Sequence, residues 1–373
     1  MLNFTVGAKR PANDDARLGA AEDLVRRTLS QHGLMGSGGT PAASQPGGAL
    51  PNGDNLMQTI QDALSRGGLG GLGGLGKAAG PQAVTPDIPA GATFRNDGFE
   101  GRSGRRDYRV YVPSTAGNGV AGCVMMLHGC TQNPEDFARG TGMNALAEEH
   151  GLVVIYPEQS RGANAQSCWN WFSKGDQRRD RGEPEILAGI ARRVMAEHDV
   201  PQDRSFVAGL SAGAAMAVIL GETYPDVFAA VGAHSGLPFG AASDVPSAFA
   251  AMGGNPASAP APQASALRTI VFHGSSDSTV HPANGERILE QAEARGPAQS
   301  CQTTETGQQG GRDYRRSVTL DMEGGSRSEF WLIEGLGHAW SGGHPGGSHT
   351  DPKGPDASAE MIRFFLEPQQ RKA

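Results

Sequence analysis

From about residue 93 onward, runs with strand character alternate with runs with helical character, and this alternation constrains the fold more than any other feature of the sequence. Such alternation is typical of a mostly parallel sheet with helices on both faces. We predict strands over 108–112, 123–127, 152–156, 205–208, 229–233, 269–272, 318–321 and 330–333. We predict helices over 143–150, 184–198, 212–223, 283–294 and 356–367. The segment 240–265, rich in Ala, Pro, Gly and Ser, predicts an insertion that is either a partial lid or a plain loop.

Composition divides the 373-residue chain into a tail, 1–88, and an α/β domain, 89–373. The 55 glycines and 24 prolines exceed ordinary usage and concentrate in the first 90 residues and a few loops. Apolar spacing in the tail predicts two short amphipathic helices, at 18–29 and 56–64. The glycine-rich run 67–76 predicts a flexible linker, because ordering glycine costs much entropy. Contact of its leucines with a membrane or a partner is the alternative.

Charge and hydropathy exclude several classes of function. The net charge is −7 and the pI about 5.8, so we expect no nucleic-acid binding and a small or neutral substrate. No run approaches 18 consecutive apolar residues, which predicts no transmembrane segment. The first residues lack the apolar core of a signal peptide, which predicts a cytoplasmic location. The four cysteines show no Cys-x-x-Cys spacing, which argues against a zinc site and against a thioredoxin-like site.

The pentapeptide GLSAG, 209–213, lies between the predicted strand 205–208 and the predicted helix 212–223. A serine on a sharp strand-to-helix turn takes up a strained backbone conformation that raises its Oγ above the sheet, and the flanking glycines let strand and helix approach closely. The same five letters also occur as a structural turn. The strand and helix on either side favour Ser211 as a nucleophile.

A serine hydroxyl needs a general base, and the base needs a third group that fixes its orientation. Asp277 comes directly after the predicted strand 269–272, at the carboxyl end where open α/β sheets place functional groups. Asp226 and Asp244 are alternatives, but neither follows a strand. We therefore expect Asp277 to orient the base.

His338 lies in the loop after the predicted strand that ends at residue 333, with glycines nearby that let its imidazole reach inward. It is our candidate for the base. His344 and His349 are alternatives, and with Asp351 the three histidines suggest a possible metal site. Their spacing matches no helix or strand that would make them converge, so we expect neither a metal nor a cofactor.

Acyl transfer also needs preorganised hydrogen-bond donors for the negative oxygen of the tetrahedral intermediate. The run HGCTQ, 128–132, follows the predicted strand 123–127, where this kind of architecture supplies one backbone N–H. We assign that N–H to Cys130 and the second to Ala212, directly after the nucleophile. His128 is interpreted as a structural hydrogen-bonding residue rather than a catalyst.

Taken together, these motifs resemble those of the poly(3-hydroxybutyrate) depolymerase-type esterases and their relatives among the feruloyl and acetylxylan esterases. The resemblance covers about residues 93–367 and depends on HGCTQ (128–132), SCWNW (167–171), GLSAG (209–213), FHG (272–274) and GHAW (337–340). It implies an α/β-hydrolase fold in which Ser211, Asp277 and His338 form the catalytic triad and Cys130 contributes to the oxyanion hole. It further implies a serine carboxylic ester hydrolase that acts through an acyl-enzyme on hydroxyalkanoate esters, with a feruloyl or acetylxylan esterase as the alternative.

The resemblance also implies a disulfide between Cys130 and Cys168, which would stiffen the oxyanion loop. Such a bond conflicts with a cytoplasmic location, so an extracellular location is the alternative. Cys123, which faces the sheet, and Cys301, in a polar loop, are expected to be free. Since the tryptophans of the SCWNW and GHAW motifs lie in predicted loops near the site, we expect them to contact the substrate; they are Trp169, Trp171 and Trp340.

The chain departs from the secreted polymer-degrading members of that family in two respects. It shows no signal peptide, and it ends soon after the predicted helix 356–367, with no substrate-binding domain. Soluble oligomers or small esters are therefore favoured over solid polymer as substrates. A non-catalytic binding protein of the same fold is disfavoured because every expected catalytic residue is present, and a peptidase is similarly disfavoured. The oligomeric state is left open.

Overall fold

The computed structural model describes residues 88–256, 267–294, 301–321 and 324–367. The two helices predicted in the tail and the glycine-rich run 67–76 lie outside the described residues. So does the second part of the 240–265 segment, from residue 257 onward.

Ten strands form one twisted sheet, and two short strands form a second. The strands are β1 (Thr93–Gly101), β2 (Gly104–Val112), β3 (Gly122–Leu127), β4 (Leu152–Pro157), β5 (Ser205–Leu210), β6 (Ala230–His234), β7 (Arg268–Gly274), β8 (Cys301–Gln309), β9 (Arg312–Leu320), β10 (Ser326–Ile333), β11 (Trp340–Ser341) and β12 (Thr350–Asp351). In the large sheet the order is β1-β2-β4-β3-β5-β6-β7-β10-β9-β8. The six strands from β4 to β10 in this order are parallel, and antiparallel pairs extend the sheet at both edges.

Seven α-helices lie in the described residues. They are α1 (Pro134–Thr141), α2 (Met143–His150), α3 (Gly182–Glu197), α4 (Ala212–Thr223), α5 (Val245–Met252), α6 (Ala283–Glu293) and α7 (Ala357–Leu366). All eight strands and all five helices that the sequence predicts in this domain are confirmed, with shifted ends in most cases. Six strands and helices were not predicted, namely β1, β8, β11, β12, α1 and α5. No helix among the described residues is long and apolar enough to span a lipid bilayer.

The core lies on both faces of the parallel strands. Every residue of β3, β4, β5 and β6 is buried, as expected when helices cover both sides of a parallel sheet. Cys123, Met125 and Leu127 pack on one face with α3, α4 and α6. Val124 and Met126 pack on the other face with α1, α2 and α7. This burial fixes the strand ends from which the candidate site residues project.

The insertion predicted at 240–265 begins with a helix rather than a loop. Asp244 caps α5, since its carboxylate accepts the backbone N–H of Ser247 at 2.9 Å while the Ser247 hydroxyl oxygen accepts the N–H of Asp244 at 3.1 Å. Pro246 lies in the first turn, where its missing N–H costs nothing. The sequence SDVPS thus contains a helix start that the composition of the whole segment conceals.

Candidate active site

Ser211 lies on the turn between β5 and α4 with φ 57° and ψ −120°, a backbone conformation that side chains rarely adopt. Its N–H donates to the carbonyl of His234 at 2.9 Å, which fixes the turn to the end of β6. Two residues before and two residues after Ser211, only glycine fits. A Cβ at Gly213 would lie 2.0 Å from the carbonyl oxygen of Leu127, and a Cβ at Gly209 would lie 2.5 Å from the carbonyl carbon of Gly213. The backbone at Gly213 therefore packs directly against the end of β3.

Asp277 follows β7 and its side chain is fully buried. One carboxylate oxygen, Oδ1, accepts the N–H groups of Thr279 and Val280, both at 2.9 Å. The other, Oδ2, lies 2.8 Å from Nδ1 of His338 and 3.5 Å from Nε2 of His273. Burial by itself raises the pKa of this carboxyl, but the hydrogen bonds from His338 and Val280 and the nearby imidazoles lower it to about 2. Asp277 is therefore ionised at neutral pH.

His338 lies in the loop between β10 and β11, with 15% of its side chain exposed. Because Nδ1 donates to Asp277, Nε2 is the nitrogen that carries the lone pair. Among the described residues, the hydroxyl of Ser211 makes no hydrogen bond to this ring. His234 connects the two, since its carbonyl accepts the N–H of Ser211 and its Nε2 accepts the N–H of Ser341 at 3.1 Å. The structure thus joins Asp277 to His338 directly and ties the Ser211 turn to β11, which follows the His338 loop.

The two alternative acids have other partners. Asp244 caps α5, as described above. Asp226 accepts from Arg179 at 2.5 and 2.9 Å and from Arg192 at 2.9 Å, and these guanidinium groups lower its pKa. Neither carboxylate contacts His338 in the described structure, whereas Asp277 does.

One alternative histidine packs through its ring, and the other contacts its neighbour through its backbone. Nε2 of His344 packs against Gly142, between α1 and α2, where an added Cβ would meet it at 2.4 Å. The carbonyl of His349 accepts the N–H of Trp340 at 2.8 Å. Asp351 pairs with Arg312 rather than with a histidine. Within residues 88–256, 267–294, 301–321 and 324–367, no group of three or more His, Cys, Asp or Glu is arranged to hold a metal ion.

The candidate oxyanion donors lie where two tight turns meet. In the loop after β3, the N–H of Gly129 donates to Oε1 of Gln132 at 2.9 Å, and that of Thr131 donates to the carbonyl of Gln166 at 2.7 Å. Between them, the N–H of Cys130 has no partner among the described residues, and the same holds for the N–H of Ala212 at the start of α4. The two amides that sequence reasoning selected therefore make no hydrogen bond within the described residues.

His128 has both ring nitrogens engaged and is buried. Nδ1 donates to the carbonyl of Gly129 at 2.8 Å, and Nε2 accepts the N–H of Gln159 at 3.1 Å. Burial lowers the pKa of this imidazole to about 4, so the ring is neutral at physiological pH. These contacts agree with the structural role that the sequence indicated.

The disulfide between Cys130 and Cys168 is present, with 4.3 Å between the Cα atoms, and the prediction is confirmed. It joins the oxyanion loop to the SCWNW loop. Cys123 and Cys301 are free, as expected. The setting of Cys301 was predicted incorrectly, because this exposed residue begins β8 rather than lying in a loop.

The three tryptophans expected to contact the substrate lie in the core instead. Trp169 and Trp340 are fully buried and Trp171 is 6% exposed. Nε1 of Trp169 donates to the carbonyl of His128 at 3.1 Å, and Nε1 of Trp340 donates to Oγ of Ser358 at 3.1 Å. The expectation came from their position in predicted loops near the site motifs, but here the side chains fold inward, and the N–H groups of Trp169 and Trp340 are satisfied internally. We therefore correct the expectation of substrate contact, because these buried indoles pack beneath the loops that carry the site residues.

Sequence reasoning missed His234, which is fully buried at the end of β6. Its ring stacks on Trp340 with 5.1 Å between centroids, and burial lowers its pKa to about 3. A signal was available, because His234 ends a parallel strand at the same edge of the sheet as Ser211 and Asp277.

Glu183, at the start of α3, is a second residue that the sequence did not reveal. Its carboxylate accepts the backbone N–H of Asn170 at 2.7 Å and the side-chain amide of Asn170 at 2.8 Å, and it also pairs with Arg106 at 3.2 Å. Burial raises the pKa of this carboxyl. Glu183 thereby anchors the SCWNW loop to α3.

A mostly parallel sheet with a serine on the β5–α4 turn, and with an aspartate and a histidine after later strands, defines an α/β-hydrolase. The acetyl xylan esterase from Aspergillus awamori has a similar fold, with a TM-score of 0.56 and 19% identity over 74% of this chain and 98% of that one. The family described as "Esterase PHB depolymerase" matches residues 106–296, and the chain belongs to this family.

Two curated relatives are similar to this chain in sequence. Poly(3-hydroxyalkanoate) depolymerase C of Paucimonas lemoignei is 34% identical over 228 residues, which cover 58% of this chain and 54% of that protein. Probable acetylxylan esterase A of Aspergillus flavus is 28% identical over 200 residues, which cover 49% of this chain and 64% of that protein. The chain thus spans between half and two thirds of the length of these relatives.

Proposed function

We propose that the protein is a serine carboxylic ester hydrolase with Ser211 as nucleophile, His338 as general base and Asp277 as the acid that orients it. The observation that carries the proposal is the 2.8 Å hydrogen bond from His338 Nδ1 to a buried, ionised Asp277, at the edge of the sheet where Ser211 occupies a strained turn. Nucleophilic catalysis by serine requires this set of groups.

In the proposed reaction, Nε2 of His338 accepts the proton of Ser211 as its Oγ attacks the ester carbonyl carbon. The N–H groups of Cys130 and Ala212 donate to the negative oxygen of the tetrahedral intermediate. The imidazolium then protonates the leaving alcohol, and an acyl-enzyme remains. Water attacks the acyl-enzyme with His338 again as base, which releases the acid and restores Ser211. Asp277 stays ionised throughout and stabilises the imidazolium.

The proposed substrates are hydroxyalkanoate esters, either the polymer or its oligomers. Membership of the PHB depolymerase esterase family and the similarity to the P. lemoignei depolymerase support this choice. The second candidate is an acetyl ester on a carbohydrate, supported by the similarity to the protein of A. flavus that is named as a probable acetylxylan esterase.

We further propose that the enzyme works in an oxidising compartment. The disulfide between Cys130 and Cys168 supports this location, since disulfides persist outside the reducing cytosol. This proposal replaces the cytoplasmic location expected from the sequence.

A substrate panel tests the proposal. Initial rates are compared for 3-hydroxybutyrate oligomers, p-nitrophenyl butyrate, methyl ferulate and acetylated xylan at equal enzyme concentration. We expect kcat/KM to be highest for the hydroxybutyrate oligomers. A higher value for acetylated xylan would favour the second candidate, and no hydrolysis of any ester would contradict the proposed function.

A further inference from the structure

Gln132 occupies a buried position between the oxyanion loop and the segment that joins β11 to β12. Only 4% of the residue is exposed. Its Oε1 accepts the N–H of Gly129 at 2.9 Å. Its Nε2 donates to Oδ2 of Asp136 at 3.0 Å, to the carbonyl of Ser348 at 3.0 Å and, at 3.2 Å, to the Ser348 hydroxyl. One side-chain amide therefore joins the oxyanion loop, α1 and the segment between β11 and β12.

Asp136, in the first turn of α1, completes this junction. Its Oδ1 accepts the backbone N–H of Ser348 at 3.0 Å, and its Oδ2 accepts the Ser348 hydroxyl. From the same helix, Arg139 donates to the carbonyl of Gly346 at 2.9 Å. The segment around Ser348 is thus attached to α1 and to Gln132 at several points, although much of it faces solvent.

On the oxyanion side, the contacts of Gln132 and His128 fix two consecutive peptide groups. Gln132 holds the N–H of Gly129, and His128 holds the carbonyl of Gly129. That carbonyl belongs to the same planar peptide as the N–H of Cys130, so its orientation sets the direction in which the Cys130 donor points. The same carbonyl also accepts the backbone N–H of Gln132 at 3.3 Å, so a displacement of Gln132 would change the aim of the candidate oxyanion donor.

On the histidine side, Ser348 precedes His349, whose carbonyl accepts the N–H of Trp340. Trp340 lies two residues after His338 and is itself fixed by its stacking on His234. The contacts of Gln132 thus reach the backbone next to the base as well as the backbone next to the oxyanion donor.

We propose that Gln132 is a positioning residue, which sets the N–H of Cys130 relative to His338 in the transition state; this inference rests on the proposed function. The oxyanion donor acts on the tetrahedral state and the base acts on the same reacting atoms, so their separation matters most when charge develops. Ground-state binding of the ester depends much less on the separation between the oxyanion donor and the base.

The test is Gln132→Met, which has a similar volume but neither accepts from Gly129 nor donates to Ser348. With p-nitrophenyl butyrate we expect kcat to fall about 10- to 100-fold, the usual effect of misplacing a catalytic group by an ångström or losing the aim of one oxyanion donor, and KM to change less than about threefold. The inhibition constant of butaneboronic acid, which forms a tetrahedral adduct with serine, should rise in parallel with the loss of kcat/KM, while that of butyrate stays unchanged. Gln302→Met, the same exchange at an exposed position of β8, is the matched control and should retain wild-type kinetics.

The outcomes separate the two proposals. A wild-type protein that hydrolyses none of the panel esters would defeat the proposed function. An active wild type with an unchanged kcat in Gln132→Met, or with equal losses of boronate and butyrate affinity, would overturn the positioning role alone. Should Gln132→Met fail to fold, Ser348→Ala at an exposed position decides the matter. We then expect its kcat to fall about threefold or more, because it loses two of the contacts at the junction, and a kcat within a factor of two of wild type would overturn the inference.

Discussion

Nδ1 of His338 lies 2.8 Å from Oδ2 of Asp277, and the carboxylate that receives it is completely shielded from solvent. The N–H groups of Thr279 and Val280 hold the other oxygen of the carboxylate, so its position does not depend on the histidine. The imidazole is therefore held in one tautomer by a group that is fixed before the substrate arrives. This arrangement is what a general base requires.

Replacing Asp277 by asparagine keeps the shape of the side chain but removes its charge. We expect Asp277→Asn to lower kcat by about 10³- to 10⁴-fold, because the amide favours the wrong imidazole tautomer and does not stabilise the imidazolium. Initial rates with p-nitrophenyl butyrate measure the loss. The matched control is Asp244→Asn, the same exchange at the N-cap of α5. Because asparagine caps a helix about as well as aspartate, kcat should stay within about twofold of wild type. A loss below tenfold in Asp277→Asn would show that another group orients the base.

The disulfide should matter more for turnover than for folding. In the double variant Cys130→Ser with Cys168→Ser, we expect kcat to fall about tenfold, because the oxyanion loop loses its covalent attachment to the SCWNW loop. The free energy of unfolding should fall by about 2–4 kcal/mol, which leaves most of the protein folded at 25 °C. Kinetics and urea unfolding are measured on the same preparations, with Cys301→Ser as the control for losing an exposed thiol. A kcat within twofold of wild type would separate the disulfide from catalysis.

Mild acid should destabilise the protein through its buried histidines. Burial lowers the pKa of His128 to about 4 and that of His234 to about 3, whereas a histidine in the unfolded chain titrates near 6.5. Between about pH 6.5 and pH 4 the unfolded chain therefore binds protons that the folded protein does not bind. The stabilisation is complete above pH 6.5 and decreases as the pH falls, with a limiting slope of about 1.4 kcal/mol per pH unit for each histidine.

Urea unfolding at several values between pH 7.5 and pH 4.5 measures this dependence. The variant His234→Gln should be less stable at pH 7.5 but should show a shallower decrease with acid, because one of the histidines with a lowered pKa no longer titrates. Parallel curves for wild type and variant would mean that His234 does not contribute.

The sequence predicted the centre of the fold because that region is governed by local signals. β5, the Ser211 turn and α4 combine a buried apolar strand, two glycines and a helix of small and apolar residues, and each signal agrees with the others. β8 was missed because its polar residues lie exposed at the edge of the sheet, without the alternation that marks a half-buried strand. The pair Gly310 and Gly311, both with positive φ, was the available hairpin signal. Asn133 followed by Pro134 similarly marked the start of α1.

Within the site, the residues that carry the proposed chemistry could be selected because each follows a predicted strand. The residues that hold them in position could not be selected in this way. Ser211, Asp277 and His338 each follow a recognisable strand. Gln132 and Ser348 are 216 residues apart, and no local pattern brings them together. The burial of Trp340 was equally invisible, since it depends on stacking against His234 from another strand.

The most direct measurement of the central claim is active-site labelling with a fluorophosphonate, combined with kinetics of Ser211→Ala. The wild-type protein should lose all esterase activity after reaction with one equivalent of the reagent, with the added mass on the peptide that contains Ser211. Ser211→Ala should remain folded by circular dichroism, take up no label and lose at least about 10³-fold in kcat. Label on another serine of the wild type, or more than a tenth of wild-type turnover in Ser211→Ala, would contradict the assignment of Ser211 as the nucleophile.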